Sequence, residues 1–137
     1  MTHYMTLVDF AFNAIKNKTK TIEMRLNDEK RQNIKRFHQI EFTNLQTNEK
    51  IYVWVKQMHY YPSFEELYKH FDKIALGYEE DEVANPMDME QFYSKENINK
   101  YGVVGIEIEL IDKGLSEVER VNNTAKIVKE ITGERIK

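Results

Sequence analysis

Lys18-Thr19-Lys20-Thr21-Ile22-Glu23-Met24-Arg25 sets one carboxylate among cations inside a segment whose composition favours extended chain. Thr21 and Ile22 are β-branched, and the residues around them alternate polar and apolar. In a strand, Thr21, Glu23 and Arg25 point to one face, and Ile22 and Met24 to the other. Lys20 stands at the strand entry, where turn geometry can swing it to the charged side. One face is expected to be core, and the other to carry Glu23 flanked by Lys20 and Arg25. On spacing alone, such alternation describes a solvated strand face whose ion pairs contribute roughly 0–1 kcal/mol each.

The flanking chain supplies a helix before this strand and more strands after it. Residues 3–6 read as a short strand, and Thr6 as a helix N-cap with Asp9 as its capping-box partner. Leu7, Phe10, Ala11, Ala14 and Ile15 fall on one helical face. Asn17 suits the left-handed position at the helix end. Asn27 and Asp28 break the signature strand, and residues 28–33 can form a helical turn. With Lys30, Arg31, Lys35 and Arg36 this is the densest basic cluster, either a solvated loop or a rim that steers phosphate.

Residues 39–43, with Ile40 and Phe42 inward, and residues 50–58, apolar on both faces, read as a hairpin whose second strand is central or closes a barrel. His59-Tyr60-Tyr61-Pro62 reads as a corner. Ser63 with Glu66 makes a capping box for a helix carrying Phe64, Leu67, Tyr68 and Phe71, and Gly77 ends that helical region. Glu79-Glu80-Asp81-Glu82 is an acidic surface loop, and residues 88–92 form a short helix. Ser94 caps another turn that ends at Gly102. Residues 103–111 are the last strand. Val104, Ile106, Ile108 and Leu110 lie on one face and Gly105, Glu107 and Glu109 on the other, with Gly105 leaving room for a ligand or a neighbouring side chain. Beyond Gly114, Ser116 with Glu119 opens an amphipathic helix striped by Leu115, Val118, Val121, Ala125 and Val128.

This order of elements, and the signature strand within it, resembles the activating signal cointegrator homology (ASCH) domains, a branch of the PUA-like fold. Their signature is G-x-K-x-x-E-x-R. Lys20, Glu23 and Arg25 hold the K, E and R positions, while Lys18 stands where the glycine is expected. The helix start at Phe64-Glu65-Glu66-Leu67, Tyr93-Ser94, and Tyr101-Gly102-Val103-Val104-Gly105-Ile106-Glu107 extend the resemblance over roughly residues 3–111. It implies an α+β fold, a small PUA-like mixed β-barrel decorated with helices, over residues 1–113. Residues 114–137 then form a C-terminal helical extension, which packs back on the barrel or mediates association.

The whole chain narrows the chemistry. Its 137 residues suffice for one domain with a core. Twenty basic against 23 acidic residues, a net charge of −3, exclude binding of long nucleic acid by bulk charge, so any such contact rests on a local patch or a pocket that reads one nucleotide. No cysteine is present, which excludes disulfides, thiol catalysis and thiolate metal sites and fits a reducing cytoplasm. No apolar run approaches the length of a membrane span, and the N-terminus lacks the pattern of a signal peptide. The four histidines show no metal-ligand spacing, and no Gly-rich phosphate loop occurs; neither a metal nor a cofactor is expected.

The resemblance implies a cleft lined by the signature strand that binds RNA or a modified nucleoside or nucleotide. Arg25 suits phosphate or a carbonyl as a planar fork and Lys20 as a point charge, while Glu23 accepts from a base amino group or holds the two cations. Lys30 and Arg31 are the basic rim. Tyr60, Tyr61, Tyr93 and Tyr101 are candidates to stack on a base, against the plainer role of packing.

Two alternatives stand beside this. Small ASCH-like amidohydrolases remove the acetyl group from N(4)-acetylcytidine with a lysine, a threonine and a glutamate. The threonine occupies the motif's E position, which is Glu23 here. Hydrolysis would then need Lys20 with Glu23 as a base for water, and Glu107 as a second carboxylate. The other alternative is a protein-interaction module that uses the C-terminal helix. The oligomeric state is open.

Overall fold

The structure, a computed structural model, describes residues 1–111. Strict alternation builds its first strands. In β1 (Thr2–Leu7), His3, Met5 and Leu7 are buried, and in β3 (Gln39–Asn44), Ile40, Phe42 and Asn44 are buried. β2 is Ile22–Leu26, β4 is Lys50–Tyr61 and β5 is Val103–Leu110. Among the described residues they form one sheet in the order β1-β3-β4-β5-β2, with only the β1–β3 pair parallel. The curled, five-stranded half-barrel with peripheral helices is the mixed barrel that the resemblance implies.

The curl comes from β4. Residues Lys50–Trp54 pair with β3, whereas the pairing with β5 spans Val53 to Tyr61, so the two neighbours overlap by only two residues of the same strand. A register shift between Val55 and Gln57 accompanies the handover. Such stagger tilts successive strands and closes the sheet toward a barrel. β4 is central, as its two apolar faces predict. It also runs to Tyr61, which removes the corner expected at residues 59–62, because β5 keeps offering partners as far as Val103.

The concave face holds the main core: Met5, Leu7, Phe12, Ile15, Ile34, Ile40, Phe42, Val53, Val55, Val104 and Ile106 are among its members. A second cluster unites Ile22, Met24, Phe64, Leu67, Leu76, Met89 and Val103. Two short helices, α2 (Glu29–Gln32) and α3 (Phe64–Tyr68), start where Asp28 and Ser63 accept the N–H three residues on. A 3₁₀ helix covers Pro86–Gln91, and α4 (Lys95–Tyr101) begins at the expected cap Ser94 and ends at Gly102. Gly105 is crowded by Ile22, Leu67 and Phe71 side chains, so its missing Cβ serves packing.

The start of α1 (Asp9–Lys16) departs from expectation. Thr6 remains in β1, because the parallel pairing continues to Leu7 opposite Asn44. The helix is capped from outside: the Asp9 N–H donates to Gln46 Oε1 (2.8 Å), and Asn44 Nδ2 donates to the Asp9 carboxylate (2.8 Å). The later start rotates the face, so Phe12 and Ile15 are buried while Phe10 is exposed. Asn17 has φ −82°; Lys18 takes the left-handed position instead, with φ +67°. Lys18 stands where the signature has glycine, and a side chain there costs roughly 1–2 kcal/mol. The C-terminal helix expected beyond Gly114 lies outside the described residues.

A histidine pair closes one end of the β1–β3 ladder. His38 Nδ1 accepts the Lys35 N–H (3.1 Å), so His3 Nε2, 2.9 Å from the same nitrogen, must be its donor. Burial lowers the pKa of both rings below 6.5, helped at His3 by His38 and at both by the N-terminus and a nearby lysine. The unfolded chain therefore takes up these protons first, and stability falls as pH drops through about 6.5.

Two measurements check this account. Lys18→Gly relieves the left-handed strain at the cost of glycine's extra chain entropy, and should raise stability by about 0.5–1 kcal/mol in urea unfolding; a loss would contradict it. Wild-type stability should decline between pH 7 and 5, and His3→Phe should flatten part of that decline.

Candidate functional site

β1 and β2 are the two edges of the half-barrel, and the site lies in the seam between them. Register decides which β2 side chains face it. Glu23 lies opposite Ile106 and Arg25 opposite Val104, two members of the concave core, and cross-strand partners share a face. Ile22 and Met24 point the other way into the second core. The charged alternation is thus turned inward, not toward solvent.

Glu23 is buried, at 4% exposure, between two cations. Lys20 Nζ lies 3.2 Å from Oε1, and Arg25 Nε donates to Oε2 at 2.7 Å. Lys20 also donates to the Leu76 carbonyl (3.1 Å), and its stem crosses Gly77, where a Cβ would stand 3.0 Å from Lys20 Cδ. Gly77 therefore makes room for the lysine as well as taking φ +105°. Arg25 Nη2 reaches across the seam to the Thr6 carbonyl (2.8 Å), joining β2 to β1. Burial by itself raises the Glu23 pKa; Lys20 and Arg25 outweigh it and leave the carboxyl below its ordinary range. Burial likewise opposes the charge on Arg25, but Glu23 and Tyr93 raise its pKa.

A cleft of about 290 Å³ opens onto this triad. Lys20, Glu23 and Arg25 line it from β2, Thr6, Leu7 and Val8 from β1, and Met89, Phe92 and Tyr93 from the segment before α4. Tyr93 is braced by stacking on Phe64, with ring centroids 5.9 Å apart, and burial raises its pKa. The rim is apolar and open: Val8 is 44%, Leu45 55% and Phe92 59% exposed. A floor of fixed charges under an exposed aromatic rim suits a planar, polar-edged ligand.

Of the residues singled out in the sequence, the seam unites Lys20, Glu23, Arg25 and Tyr93. Lys30 and Arg31 line an adjoining groove that shares Thr6 and Arg25 with the cleft. The others lie elsewhere. Tyr60 is exposed on β4, opposite Val104. Tyr61 stacks on His70, with centroids 5.0 Å apart. The Tyr101 hydroxyl donates to Glu29 (3.4 Å). Glu107 lies opposite Ile22, on the face turned away from Glu23, and is 2.9 Å from His59; it lines a separate cavity of about 470 Å³ that Lys20 also borders. Thr21 lines that same cavity and not the seam cleft. Sequence reasoning missed Thr6, Val8, Leu45, Met89 and Phe92. Only Phe92-Tyr93, two adjacent aromatics in a polar stretch, carried a signal.

The sequence matches the model of the ASCH domain over residues 5–112. Two solved structures are similar. The crystal structure of hypothetical protein PH0355 superposes with a TM-score of 0.69 at 35% identity, covering 81% of this chain and 100% of that one. The solution NMR structure of protein PF0455 from Pyrococcus furiosus gives a TM-score of 0.61 at 35% identity, covering 82% and 99%. No curated protein matches the chain. Among the described residues, no helix is long and apolar enough to cross a membrane.

Replacing Glu23 should be costly, because it strands two buried cations. Glu23→Gln is expected to lower stability by about 3–5 kcal/mol. Adding Lys20→Met should restore part of this, since one stranded charge is removed. Additive losses in a double-mutant cycle by urea unfolding would show that the three groups are not coupled.

Proposed function

The chain belongs to the ASCH domain family, which is associated with RNA binding, and from this premise we propose that it recognises one base of an RNA or a modified nucleotide in the seam cleft. The observation that carries this reading is the buried Lys20–Glu23–Arg25 triad at the floor of a cleft with an exposed aromatic at its rim. Lys20 has a third N–H beyond those given to Leu76 and Glu23, suited to a base carbonyl. Each Glu23 oxygen takes one cation and keeps a second lone pair, suited to an exocyclic amino group. Phe92 offers a face for the ring, and every base has a π-face to meet it. The groups are held before the ligand arrives, so little ordering opposes binding.

The same geometry supports binding over hydrolysis. A general base works best when its pKa lies near the working pH. Glu23, stabilised as the anion by two cations, is displaced in the opposite direction. Glu107 lies on the other face of the sheet and gives no second carboxylate in the cleft.

NMR and calorimetric titration against the common ribonucleosides, N(4)-acetylcytidine and a short single-stranded RNA tests this. Shifts should centre on Lys20–Arg25, Phe92 and Tyr93, with no loss of the acetyl signal. Phe92→Ala should weaken binding by about 1–3 kcal/mol while leaving the thermal midpoint unchanged, because its ring is exposed. Binding that ignores both Phe92→Ala and Arg25→Ala, or none at all, would remove the cleft as the ligand site.

A further inference from the structure

The cleft does not end at Arg25. Arg25 and Thr6 form a shared wall between it and a second groove of about 380 Å³ that runs beside β1. Lys30, Arg31 and Lys50 line that groove, with Thr43 and one carboxylate, Glu41. These side chains come from both sides of β1: Lys30 and Arg31 from α2, Glu41 and Thr43 from the adjacent β3, and Lys50 from β4 beyond it.

Pairing leaves the groove positive. Lys50 holds Glu41 at 2.9 Å, and Arg31 holds Asp28 at 3.1 Å, so each of these pairs is neutral. Glu23 offsets only one of Lys20 and Arg25. Lys30 donates to the Tyr4 carbonyl (2.9 Å), a neutral acceptor. Among the described residues, the four cations Lys20, Arg25, Lys30 and Arg31 thus stand against the two carboxylates Glu23 and Asp28, a surplus of two charges in a chain whose net charge is −3. Arg31 engages Asp28 through Nη1, and among the described residues its Nε–H, buried from solvent, has no hydrogen-bond partner. Guanidinium forks and ammonium groups around a trough match the several oxygens and double charge of a phosphate better than the single plane of a carboxylate.

We propose that this groove is a phosphate subsite, so that the ligand is a phosphorylated nucleotide lying across Arg25 with its base in the seam and its phosphate beside Lys30, Arg31 and Lys50. The inference rests on the reading of the seam cleft as a base site. It adds that a free nucleoside fills only half of the site. It also explains how an acidic chain selects a nucleotide locally: the attraction acts within about one Debye length of the groove and not over the whole surface.

Calorimetry with the common ribonucleosides, their 5′-monophosphates and a short single-stranded RNA separates the possibilities. The monophosphate should bind at least roughly tenfold tighter than its nucleoside, and the gain should shrink as salt is raised. Lys30→Ala with Lys50→Ala should erase that gain while nucleoside affinity is unchanged; if the double variant is less stable, Lys30→Gln alone should remove part of it. A further gain with RNA assigns the phosphate to a chain, and no further gain assigns it to a free nucleotide. Equal affinity for nucleoside and monophosphate, or an RNA affinity that neither variant alters, overturns the subsite while leaving the base cleft intact. Absence of binding by every probe removes both.

Discussion

Glu23 is the residue on which the seam depends. A carboxylate taken out of water is expensive unless charge and hydrogen bonds return what hydration gave. Here both oxygens receive a cation, one from the strand entry and one from two residues on. The strand alternation that buries Glu23 therefore also fixes Lys20 and Arg25, since each is held by one of its oxygens and neither can leave without emptying that oxygen. Buried ion pairs are poor evidence of net stability. Their effect here is geometric: they set three polar heads at the floor of a cleft, where apolar side chains of equal volume would give packing alone.

The sheet gives this arrangement its place. An open half-barrel has two edge strands, and bare edges invite pairing with other chains. The N–H of Gln39 takes the Met1 carbonyl and the N–H of Leu45 takes the Leu7 carbonyl, so the odd-numbered carbonyls of β1 serve the ladder and the even-numbered ones face outward. Lys30 takes Tyr4 and Arg25 takes Thr6. Two cations thus blunt the edge of β1, and one of them is itself held by Glu23. Edge protection and the floor of the cleft draw on the same side chains, which is why the basic turn after β2 is tied to the seam and not to the solvated surface alone.

Local pattern made much of the fold legible. Alternation located the five strands, the capping serines at 63 and 94 located α3 and α4, and the two apolar faces of residues 50–58 marked β4 as central. What failed depended on contacts distant in sequence. The start of α1 is set by Gln46 and Asn44, more than thirty residues away, and a shift of that start was enough to exchange Phe10 for Phe12 in the core. The site divides the same way. Lys20, Glu23 and Arg25 lie within one strand and its entry, so their alternation was readable, but whether that face met water or the barrel depended on the register with β5. Thr6, Val8 and Leu45 reach the cleft from other elements, and nothing in their own neighbourhoods announced it. Alternation sets Glu107 on the face of β5 that bears Glu109, but only the register with β2 sets that face behind Ile22.

Lys18 bears on how such a seam tolerates change. Its left-handed backbone lies two residues before Lys20, in the turn that delivers the lysine to Glu23. A glycine there adopts this conformation without strain, whereas lysine incurs the crowding of Cβ against the carbonyl. The turn nonetheless keeps its form. The N–H groups of Lys18, Thr19 and Lys20 donate to Ile15 and Ala14 carbonyls at the end of α1, and those of Thr21 and Ile22 to Ala75. Five successive backbone donors fix the path, and the buried pair beyond them depends on it. Departure from the signature at its first position is therefore absorbed as local strain, whereas loss of Glu23 leaves Lys20 and Arg25 buried without a counter-charge.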